Sequence, residues 1–503
     1  MSTARAYAAV DLGAESGRVV VGRLDGNRVE LEVAHRFTNR SVALPDGLHW
    51  NLLSLFSDTL EGLGRAAAIA PLSGIGVDAW GVDYALLDGS SRVLGLPFHY
   101  RDPRTDGMVE RVHELVSREE LYSITGIQTM PINTIFQLMA DSSHPASRVA
   151  ERLGLVPDLF GLWLTGELAN EVTAASTTGL LDASTGGWAR GIVERLGFPA
   201  GPFSGDPVDP GTRLGEVLAH HGDVAGGAAG VAVWTVAAHD TASAFAATPI
   251  SSDRAAVLSS GTWSLLGAEV TTPRLGADAA ALNLTNERGI DGTIRLLRNV
   301  MGLWLLQECR RCWALAGTDR GYAELQSLAG AARADVALFD PDEAELLRPG
   351  DMPARIEALC RSHGQTAPAG AGETVRSIFL SLACKYRLVL ERLQLVVGHR
   401  FDVIHVVGGG ARNELLCQMT ADLTGLPVIA GPEEATALGN VLVQARAGGD
   451  LGGSLADLRT VAAASVTTVT FEPSDSSEAD DVYARFLAVT GLGEEHPQPV
   501  VSQ

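Results

Sequence analysis

The pattern of apolar and polar positions predicts strands and helices that alternate along the whole chain. Near the start, β-rich runs at residues 7–10 and 19–21 flank a small, polar stretch at residues 12–18, which predicts a β-hairpin. Residues 254–270 repeat this arrangement with a Ser-Ser-Gly-Thr turn. Helical spacing recurs in three clear segments, at residues 52–68, 413–424 and 435–447. Two α/β halves that each open on a Gly/Ser hairpin predict a duplicated fold with a cleft between the halves.

Composition narrows the class of protein. A chain of 503 residues is long enough for two or more domains, each with its own core. Its 46% hydrophobic and 19% charged residues are typical of a soluble globular protein. A net charge of −22 argues against nucleic acid or an anionic membrane as the main partner. No apolar run reaches the ~20 residues of a transmembrane helix, and no cationic and apolar leader opens the chain.

The five cysteines do not have the spacing of a disulfide framework. Cys309 and Cys312 form one CxxC inside a helical run, but a zinc site needs two more ligands and no second CxxC or HxxxH occurs. Two thiols on one helical face are the favoured interpretation. We therefore expect a protein of the reducing cytoplasm.

The lysine content excludes two nucleotide-binding motifs. Lys385 is the only lysine of the chain, and it lies in a helical run rather than in a glycine-rich loop. A Walker-type phosphate loop needs Gly-Lys-Ser/Thr, and a protein kinase needs a lysine on a strand. Any nucleotide phosphates must therefore be held by backbone amides, hydroxyl groups, arginine and metal.

The first hairpin has the residues of a phosphate site. Its predicted turn offers small residues, free backbone N–H groups, a hydroxyl group and Arg18. Asp11 ends the first strand and would repel phosphate unless a divalent cation lay between them, and Mg²⁺ often binds through one or two carboxylates and substrate phosphates. An ordinary hairpin with a solvated loop is the alternative.

The triplet His239, Asp240 and Thr241 follows a buried-looking strand at residues 231–236 and begins a helix. Asp240 could be the helix N-cap. It could instead be a general base that takes a proton from a substrate hydroxyl group. The presence of a Gly/Ser hairpin in each half favours the second interpretation.

A glycine run, Gly408 to Gly410, follows a predicted strand at residues 403–407 and opens a helix. Asn413 stands where the dinucleotide fingerprint requires glycine, so NAD is less favoured than ATP. A glycine turn at a helix start suits close approach of a nucleotide. A purely structural turn is the alternative.

Aromatic and hydrogen-bonding groups occur together at residues 80–83 and 99–102, which suits a polyol with apolar faces and hydroxyl groups. A core tryptophan and a surface ion pair would be the structural explanation. Trp263 and Trp304 are predicted to be core residues.

Several motifs in sequence order resemble those of the FGGY carbohydrate kinases. They are VDLGAESGR, GVDAWGVD, YRDPRT, AAHDTASA, LSSGTWSLLG, RNVMGLWLLQE, VVGGGARN and ALGN. The likeness covers residues 7–488. Within the family, the chain is most similar to the branch that phosphorylates L-rhamnulose. The motifs that carry this closer resemblance are WGVDYALLD, YRDPRT, HDTASA and the pair SSGTWSL and NVMGLWLLQ.

The resemblance implies a fold and a set of sites. The fold is α/β, with two ribonuclease-H-like (actin/hexokinase-type) domains around a catalytic cleft, at residues 1–247 and 248–490, and a polar tail at 491–503. Asp240 would accept the proton and Asp11 would face Mg²⁺. The ketose would contact five residues, Gly81, His239, Asp240, Thr241 and Asn299. ATP would contact eight, Ala14, Glu15, Ser16, Gly17, Arg18, Thr262, Gln307 and Gly409.

The implied reaction is ATP-dependent phosphorylation of the C1 hydroxyl of L-rhamnulose by a cytoplasmic monomer or homodimer. Two departures from the family pattern stand out. Glu15 occupies a phosphate turn where the family commonly has a small polar residue, and the helix with Gln137 lacks the lysine of the broader signature. Other substrates of the family, such as fuculose, xylulose or glycerol, are the nearest alternative. A chaperone-like ATPase and an NAD-dependent oxidoreductase are more distant ones.

Overall fold

The computed structural model describes residues 4–474 and 478–493, in which seventeen strands occur. Most of the predicted tail, residues 491–503, lies outside these ranges. The strands are β1 (Arg5–Leu12), β2 (Ser16–Asp25), β3 (Arg28–Thr38), β4 (Ser41–Leu44), β5 (Gly47–Trp50), β6 (Leu72–Ala79), β7 (Tyr84–Leu87), β8 (Arg152–Leu155), β9 (Arg213–Glu216), β10 (Ala232–Trp234), β11 (Ala255–Ser260), β12 (Trp263–Val270), β13 (Thr285–Arg288), β14 (Ile294–Met301), β15 (Val403–Val407), β16 (Val428–Ala430) and β17 (Val469–Phe471).

Nineteen α-helices lie in the same part of the chain. They are α1 (Leu52–Ile69), α2 (Met108–His113), α3 (Arg118–Thr125), α4 (Thr134–Asp141), α5 (Pro145–Val149), α6 (Val156–Thr165), α7 (Val172–Ala175), α8 (Arg190–Arg195), α9 (Gly222–Ala225), α10 (Asp240–Ala247), α11 (Ala277–Ala281), α12 (Trp304–Leu315), α13 (Tyr322–Ala331), α14 (Met352–Ser362), α15 (Gly370–Val397), α16 (Glu414–Thr424), α17 (Ala435–Ala447), α18 (Leu455–Ser465) and α19 (Glu478–Thr490). None of the described helices is both long and apolar enough to cross a membrane.

The chain groups into two compact units. Unit 1 comprises the described residues of three segments, Met1–Ile250, Glu269–Leu296 and Glu434–Thr467. Unit 2 comprises those of Ser251–Ala268, Leu297–Glu433 and Thr468–Gln503. The predicted hairpins, β1–β2 and β11–β12, belong to different units, and the predicted helix at residues 435–447 is confirmed with the same bounds as α17.

Unit 1 is built on a six-stranded mixed sheet with the order β3-β2-β1-β6-β10-β9. β1 pairs antiparallel with β2 and parallel with β6. Alternating side chains of β2 pack against helices on opposite faces, with Val19 against α1 at Gly62 and Gly22 against α17 at Val441. Because both faces are covered there, the central strands β1, β2 and β6 are buried along most of their length, whereas β3 is largely exposed.

Unit 2 contains the adjacent strands β14, β12, β11, β15, β16 and β17, while β13 and the first residues of β14 are grouped with unit 1. β11 pairs antiparallel with β12 and parallel with β15. The 28-residue helix α15 packs against α13 and α16 and buries Phe379, Leu382 and Tyr386. Its length and apolar face make it the central helix of this unit.

Candidate functional site

The turn of the first hairpin is shorter than the sequence predicted. β1 continues to Leu12 and β2 begins at Ser16, because Leu12 pairs with Gly17 and Asp11 with Arg18 across the ladder. The prediction of a turn over residues 12–18 is therefore wrong. Of the five predicted phosphate-binding residues, two lie in the turn, Ala14 and Glu15, and three lie in β2, Ser16, Gly17 and Arg18.

Asn39 holds this turn in place through its backbone and its side chain. The Asn39 backbone N–H donates to the Glu15 carbonyl at 2.8 Å, and its side-chain amide donates to the Gly13 carbonyl at 3.0 Å. Gly17 has a packing reason to be glycine, because a Cβ there would overlap the Phe37 ring. The small residues of this stretch thus serve local packing as well as any ligand.

Arg18 connects two carboxylates of unit 1. Its Nε and Nη2 atoms donate to Asp11 Oδ2 at 2.9 and 2.6 Å, and Nε also lies 2.8 Å from Glu434 Oε2. Burial alone lowers the pKa of Arg18, but Asp11 and Glu434 outweigh that effect and the pKa is raised. The guanidinium therefore stays charged in a largely buried place.

Asp78 is a buried carboxylate that the sequence analysis did not select. It lies on β6 directly beside Asp11 in the parallel pairing and is fully buried. The Asn440 amide donates to its Oδ2 at 2.5 Å, while Oδ1 has no hydrogen-bond partner within the described part of the chain. Burial, with Asp11 and then Asp240, raises the pKa of Asp78 well above its usual range, and Asn440 opposes the shift.

Asp11 and Asp78 have the donor atoms of a divalent-cation site. Both are carboxylates at the carboxyl end of neighbouring strands, and the Asp78 Oδ1 lone pairs are unused by the described residues. Hard oxygen ligands of this kind are those that Mg²⁺ prefers. The residues present therefore fit the ion that the sequence resemblance implies.

The triplet His239, Asp240 and Thr241 lies at the same sheet edge. Ala79, the last residue of β6, donates its N–H to the Ala238 carbonyl at 2.9 Å. Helix α10 begins at Asp240 with His239 as the N-cap residue, so the idea of Asp240 as the cap is wrong. Asp240 Oδ1 instead accepts from the Thr241 N–H at 2.5 Å and from its hydroxyl group at 3.1 Å.

Asp240 has the electrostatic setting of a general base. Burial raises the pKa of its carboxyl group, His239 opposes that shift, and the charge of Asp11 adds to it. A raised pKa makes a carboxylate a stronger proton acceptor near neutral pH. Its Oδ2 atom makes no hydrogen bond within the described ranges and is open to a substrate hydroxyl group.

His239 packs against an ion pair deep in unit 1. Both terminal nitrogens of Arg295 lie 3.2 Å from His239 Nδ1, and Arg295 Nη1 lies 3.1 Å from Glu287 Oε2. That Glu287 oxygen is also 3.2 Å from Nδ1. The Nε2 atom of the ring lies 3.5 Å from Asp240 Oδ1.

Gly81 lies two residues beyond Ala79, which forms a parallel β-bridge with His239, and its neighbours in sequence are held by two hydrogen bonds. The Trp80 N–H donates to the Leu12 carbonyl at 3.2 Å, and the Val82 N–H donates to the Thr177 hydroxyl oxygen at 3.0 Å. A Cβ on Gly81 would press on the same Thr177 side chain. Unit 1 therefore brings Asp11, Gly81 and the triplet to one edge of its sheet.

A second polar cluster supports the loop after β6. Asp83 accepts from the indole N–H groups of Trp50 at 2.5 Å and Trp80 at 2.9 Å, and from the Gln137 amide at 2.9 Å. Burial raises the pKa of Asp83 to about 6, against the effect of these three donors. Trp50 stacks on His99 at 4.0 Å. The aromatic residues predicted to face a polyol thus form a rigid, hydrogen-bonded group.

In unit 2, the turn between β11 and β12 supports the start of α12. The Thr262 carbonyl accepts from the N–H groups of Gly302 at 3.2 Å and Trp304 at 3.1 Å. One turn into α12, the Gln307 side chain has a buried Oε1 with no hydrogen bond from the described residues. Thr262 and Gln307, both predicted to contact ATP, therefore belong to one local structure.

In the glycine run after β15, Gly409 and Gly410 have different surroundings. A Cβ on Gly410 would overlap the Ser260 side chain, so this glycine is required by packing. A Cβ on Gly409 would have no described atom within 4 Å. Asn413 caps α16 by accepting from the Leu416 N–H at 3.1 Å, which explains an amide where a dinucleotide fingerprint has glycine.

The only lysine has a structural position. Lys385 is buried on α15, and its Nζ lies 2.7 Å from Asp340 and 3.1 Å from Asp342. Asp342 also accepts from the Met301 N–H at 2.8 Å. This network supports the end of β14, two residues beyond Asn299, and matches the prediction that Lys385 is not a phosphate-loop lysine.

Four charged residues of unit 1 were missed by the sequence analysis. They are Asp78, Glu171, Glu287 and Arg295. Asp78 alone carries a signal, as an acid at the end of an apolar strand. The other three lie outside the motifs, although Arg295 is only three residues before one of them, and only the fold brings them beside the triplet.

Family comparisons agree with this arrangement. The N-terminal domain of the FGGY family of carbohydrate kinases matches residues 6–246, and the C-terminal domain of that family matches residues 256–448. A rhamnulokinase of Bacteroides thetaiotaomicron is 39% identical over 95% of this chain and 98% of that protein. One of Pectobacterium carotovorum is 41% identical over 96% of each.

Solved structures share the fold at low sequence identity. Gluconate kinase from Lactobacillus acidophilus aligns with a TM-score of 0.77 and 14% identity, over 98% of this chain and 97% of that one. Plasmodium falciparum glycerol kinase with ADP aligns with a TM-score of 0.73 and 14% identity, over 98% and 99%. The predicted fold class is therefore confirmed.

Proposed function

Because this chain belongs to the FGGY family of carbohydrate kinases, we propose that it transfers the γ-phosphoryl group of ATP to the C1 hydroxyl of L-rhamnulose. The products are L-rhamnulose 1-phosphate and ADP. The observation that carries the choice of sugar is the likeness to rhamnulokinases along nearly the full length of both chains. The solved sugar kinases of other specificity, at 14–19% identity, support the fold alone.

Asp240 is the proposed proton acceptor. Its Oδ1 atom is held by Thr241, and its Oδ2 atom is left for the C1 hydroxyl of the ketose. Removing that proton makes the oxygen a better nucleophile toward the γ-phosphorus. Gly81, His239, Thr241 and Asn299 are assigned to the remaining contacts with the sugar.

The nucleotide is assigned to residues of both hairpins. Thr262, Gln307 and Gly409 of unit 2 are proposed to bind ATP, supported by the unused Gln307 Oε1 and the open space at Gly409. The turn residues Ala14 and Glu15, with Ser16, Gly17 and Arg18 of β2, are assigned to the phosphates. Arg18 is already paired with Asp11, so it would attract the phosphates electrostatically while it keeps that ion pair.

Asp11 is the proposed residue for Mg²⁺, and we add Asp78 to it. When bound, the ion neutralises charge on the phosphates and orients them for transfer. Arg18 and Asn440 hold the two carboxylates in place. Their role is to keep both carboxylates fixed beside each other before the ion arrives.

A panel of ketoses tests the proposal. Purified protein is assayed by coupled ADP detection with L-rhamnulose, L-fuculose, xylulose and glycerol, and ³¹P NMR locates the phosphate on the product. We expect kcat/KM for L-rhamnulose to exceed the others by at least about tenfold. The Asp240→Asn variant, prepared in parallel, corrects for contaminating kinases.

Two results would contradict the proposal. A different sugar that is turned over as well as L-rhamnulose would overturn the choice of substrate. ATP hydrolysis that no sugar stimulates would instead favour the chaperone-like ATPase.

A further inference from the structure

Arg295 is a fully buried cation with no role in the proposed reaction so far. Its Nε donates to the Arg288 carbonyl at 3.0 Å, and its two terminal nitrogens face the His239 ring. Burial lowers the pKa of Arg295, and nearby carboxylates, Glu287 first, oppose the shift. A buried guanidinium is retained only where it is paired and hydrogen-bonded, which is the case here.

The position of Arg295 restricts the protonation of His239. A guanidinium has N–H donors and no acceptor, so two of its nitrogens at 3.2 Å from Nδ1 require a free lone pair on that ring nitrogen. The ring proton then lies on Nε2, which is 3.5 Å from Asp240 Oδ1. Glu287 Oε2 is also 3.2 Å from Nδ1, and alone this carboxylate would favour a proton on Nδ1. Arg295 pairs with the same oxygen and offsets its charge.

We infer that Arg295 is a positioning residue that holds His239 in the tautomer with its proton on Nε2, directed at Asp240. The inference rests on the proposed function, in which Asp240 accepts the ketose proton. In that tautomer, the Nε2–H dipole of His239 lies beside Oδ1, with Nε2 at 3.5 Å, while Thr241 donates its N–H and O–H to the same oxygen. Asp240 then has one orientation, with Oδ2 turned to the substrate.

The backbone around His239 is fixed by the same buried layer. The Ala238 N–H donates to Glu171 Oε2 at 3.1 Å, and the His239 N–H donates to the Thr173 hydroxyl oxygen at 3.1 Å. Glu171 and Thr173 are fully buried. Since main chain and ring are both held, a change at Arg295 acts on the ring tautomer rather than on the position of the loop.

The tautomer is measured directly by NMR. Full-length protein labelled with ¹⁵N-histidine gives long-range ¹H–¹⁵N ring correlations, and the His239→Gln variant assigns the His239 signals by their loss. We expect Nε2–H with unprotonated Nδ1 in the unaltered protein. In Arg295→Lys, which keeps the charge but loses the two-pronged donor, we expect a mixture of tautomers.

Kinetics supply the second readout. Arg295→Lys should lower kcat by roughly 10- to 100-fold for whichever ketose is turned over, with KM for ATP unchanged within about twofold. Glu287→Gln should keep the Nε2–H tautomer. The matched control is Arg288→Lys, whose guanidinium donates to the Ala183 carbonyl and not to His239, and which should keep the normal kcat.

The outcomes separate this inference from the proposed function. A proton on Nδ1 in the unaltered protein, or a folded Arg295→Lys variant with unchanged tautomer and kcat, would overturn the role of Arg295. Because the NMR signal needs no substrate, it supports or rejects that role even if L-rhamnulose proves to be the wrong sugar.

Discussion

The two hairpins have the same backbone plan and opposite chemistry. In unit 1, β1 and β2 bear a buried charged network in which Arg18 joins Asp11 to Glu434, with Asp78 beside it. In unit 2, the turn end of the β11–β12 hairpin, residues 259–264, bears neutral groups, and Ser264 binds the Tyr386 hydroxyl group at 2.7 Å. A charged edge suits a cation, a proton transfer and phosphates. A neutral edge of hydroxyl and glycine suits the uncharged part of a nucleotide.

The charged hairpin costs more free energy to bury than the neutral one. Three carboxylates, Asp11, Asp78 and Asp240, influence one another electrostatically, with Arg18 as the nearby cation that offsets them. Burying such groups costs more free energy than it returns unless they are paired. Clusters of this kind mark functional sites, since ligands can supply the missing charge balance. The comparison therefore supports the proposal that the chemical step takes place at unit 1 residues.

The largest expected effect is at Asp240. Replacing it with asparagine removes the proton acceptor but keeps size and most hydrogen bonds, so we expect kcat to fall by roughly 10²- to 10⁴-fold. Affinity for ADP, measured by calorimetry, should change less than about threefold because the neutral hairpin is untouched. Near-normal turnover would remove Asp240 as the base and move the chemistry elsewhere.

Arg18 tests the charged hairpin itself. Arg18→Gln leaves Asp11 without its cation and Glu434 with Arg36 alone. A broken buried pair costs roughly 3 kcal/mol, somewhat less here since Arg18 keeps some exposure. Differential scanning calorimetry should show a clear fall in Tm. The matched change in unit 2 is Tyr386→Phe, which removes one neutral hydrogen bond and should cost about 1 kcal/mol.

A restoring variant makes this contrast sharper. Arg18→Gln combined with Asp11→Asn removes the carboxylate that has lost its cation and should recover part of the lost Tm. If Arg18→Gln and Tyr386→Phe lowered Tm equally, the charged and neutral hairpins would not differ in the way described.

Local pattern was enough to predict both hairpins, because alternation and small turn residues are encoded within about twenty positions. The strand at residues 403–407 and the helix at 435–447 were predicted with their observed bounds for the same reason. The length of the first turn was wrong, since pairing of Leu12 with Gly17 extends the ladder beyond the apolar run. Element ends depend on pairing partners, which periodicity does not specify.

The chemistry of the hairpins depends on residues distant in sequence. Glu434 follows Arg18 by more than 400 positions, and Arg295 follows His239 by 56. No local spacing relates such pairs. Family likeness supplied the candidate ligand-contact residues, but the groups packed around them, such as Asp78 with Asn440, and Glu171 beside the triplet, became visible only with the fold.

Buried carboxylates in unit 1 should make stability depend on pH. Burial raises the pKa of Glu171 from 4.5 to about 7, and that of Asp158 to about 8. The folded protein then binds more protons than the unfolded chain above pH 4.5, so the free energy of unfolding falls as pH rises toward 7 or 8. For Glu171 alone the fall is roughly 3 kcal/mol.

Glu171→Gln isolates this contribution. Glutamine has no charge at any pH, so we expect the variant to gain stability relative to the unaltered protein between pH 5 and pH 8, followed by calorimetric Tm. Asp88→Asn is the control, since hydrogen bonds from the Arg92 backbone and the Ser90 side chain lower the pKa of Asp88, so its effect on Tm should be constant between pH 5 and pH 8. A constant difference in Tm across this range would mean that Glu171 stays ionised.

The smallest expected effect is at Gly409, where alanine substitution tests whether a nucleotide occupies the space beside this glycine. The same substitution at Gly410 tests packing. Gly409→Ala adds a methyl group where no described atom lies within 4 Å, so stability should be unchanged while KM for ATP rises about tenfold, if nucleotide fills that space. Gly410→Ala, one residue on, forces the methyl group into Ser260 and should lower Tm instead. Unchanged KM in a stable Gly409→Ala variant would remove nucleotide from this turn.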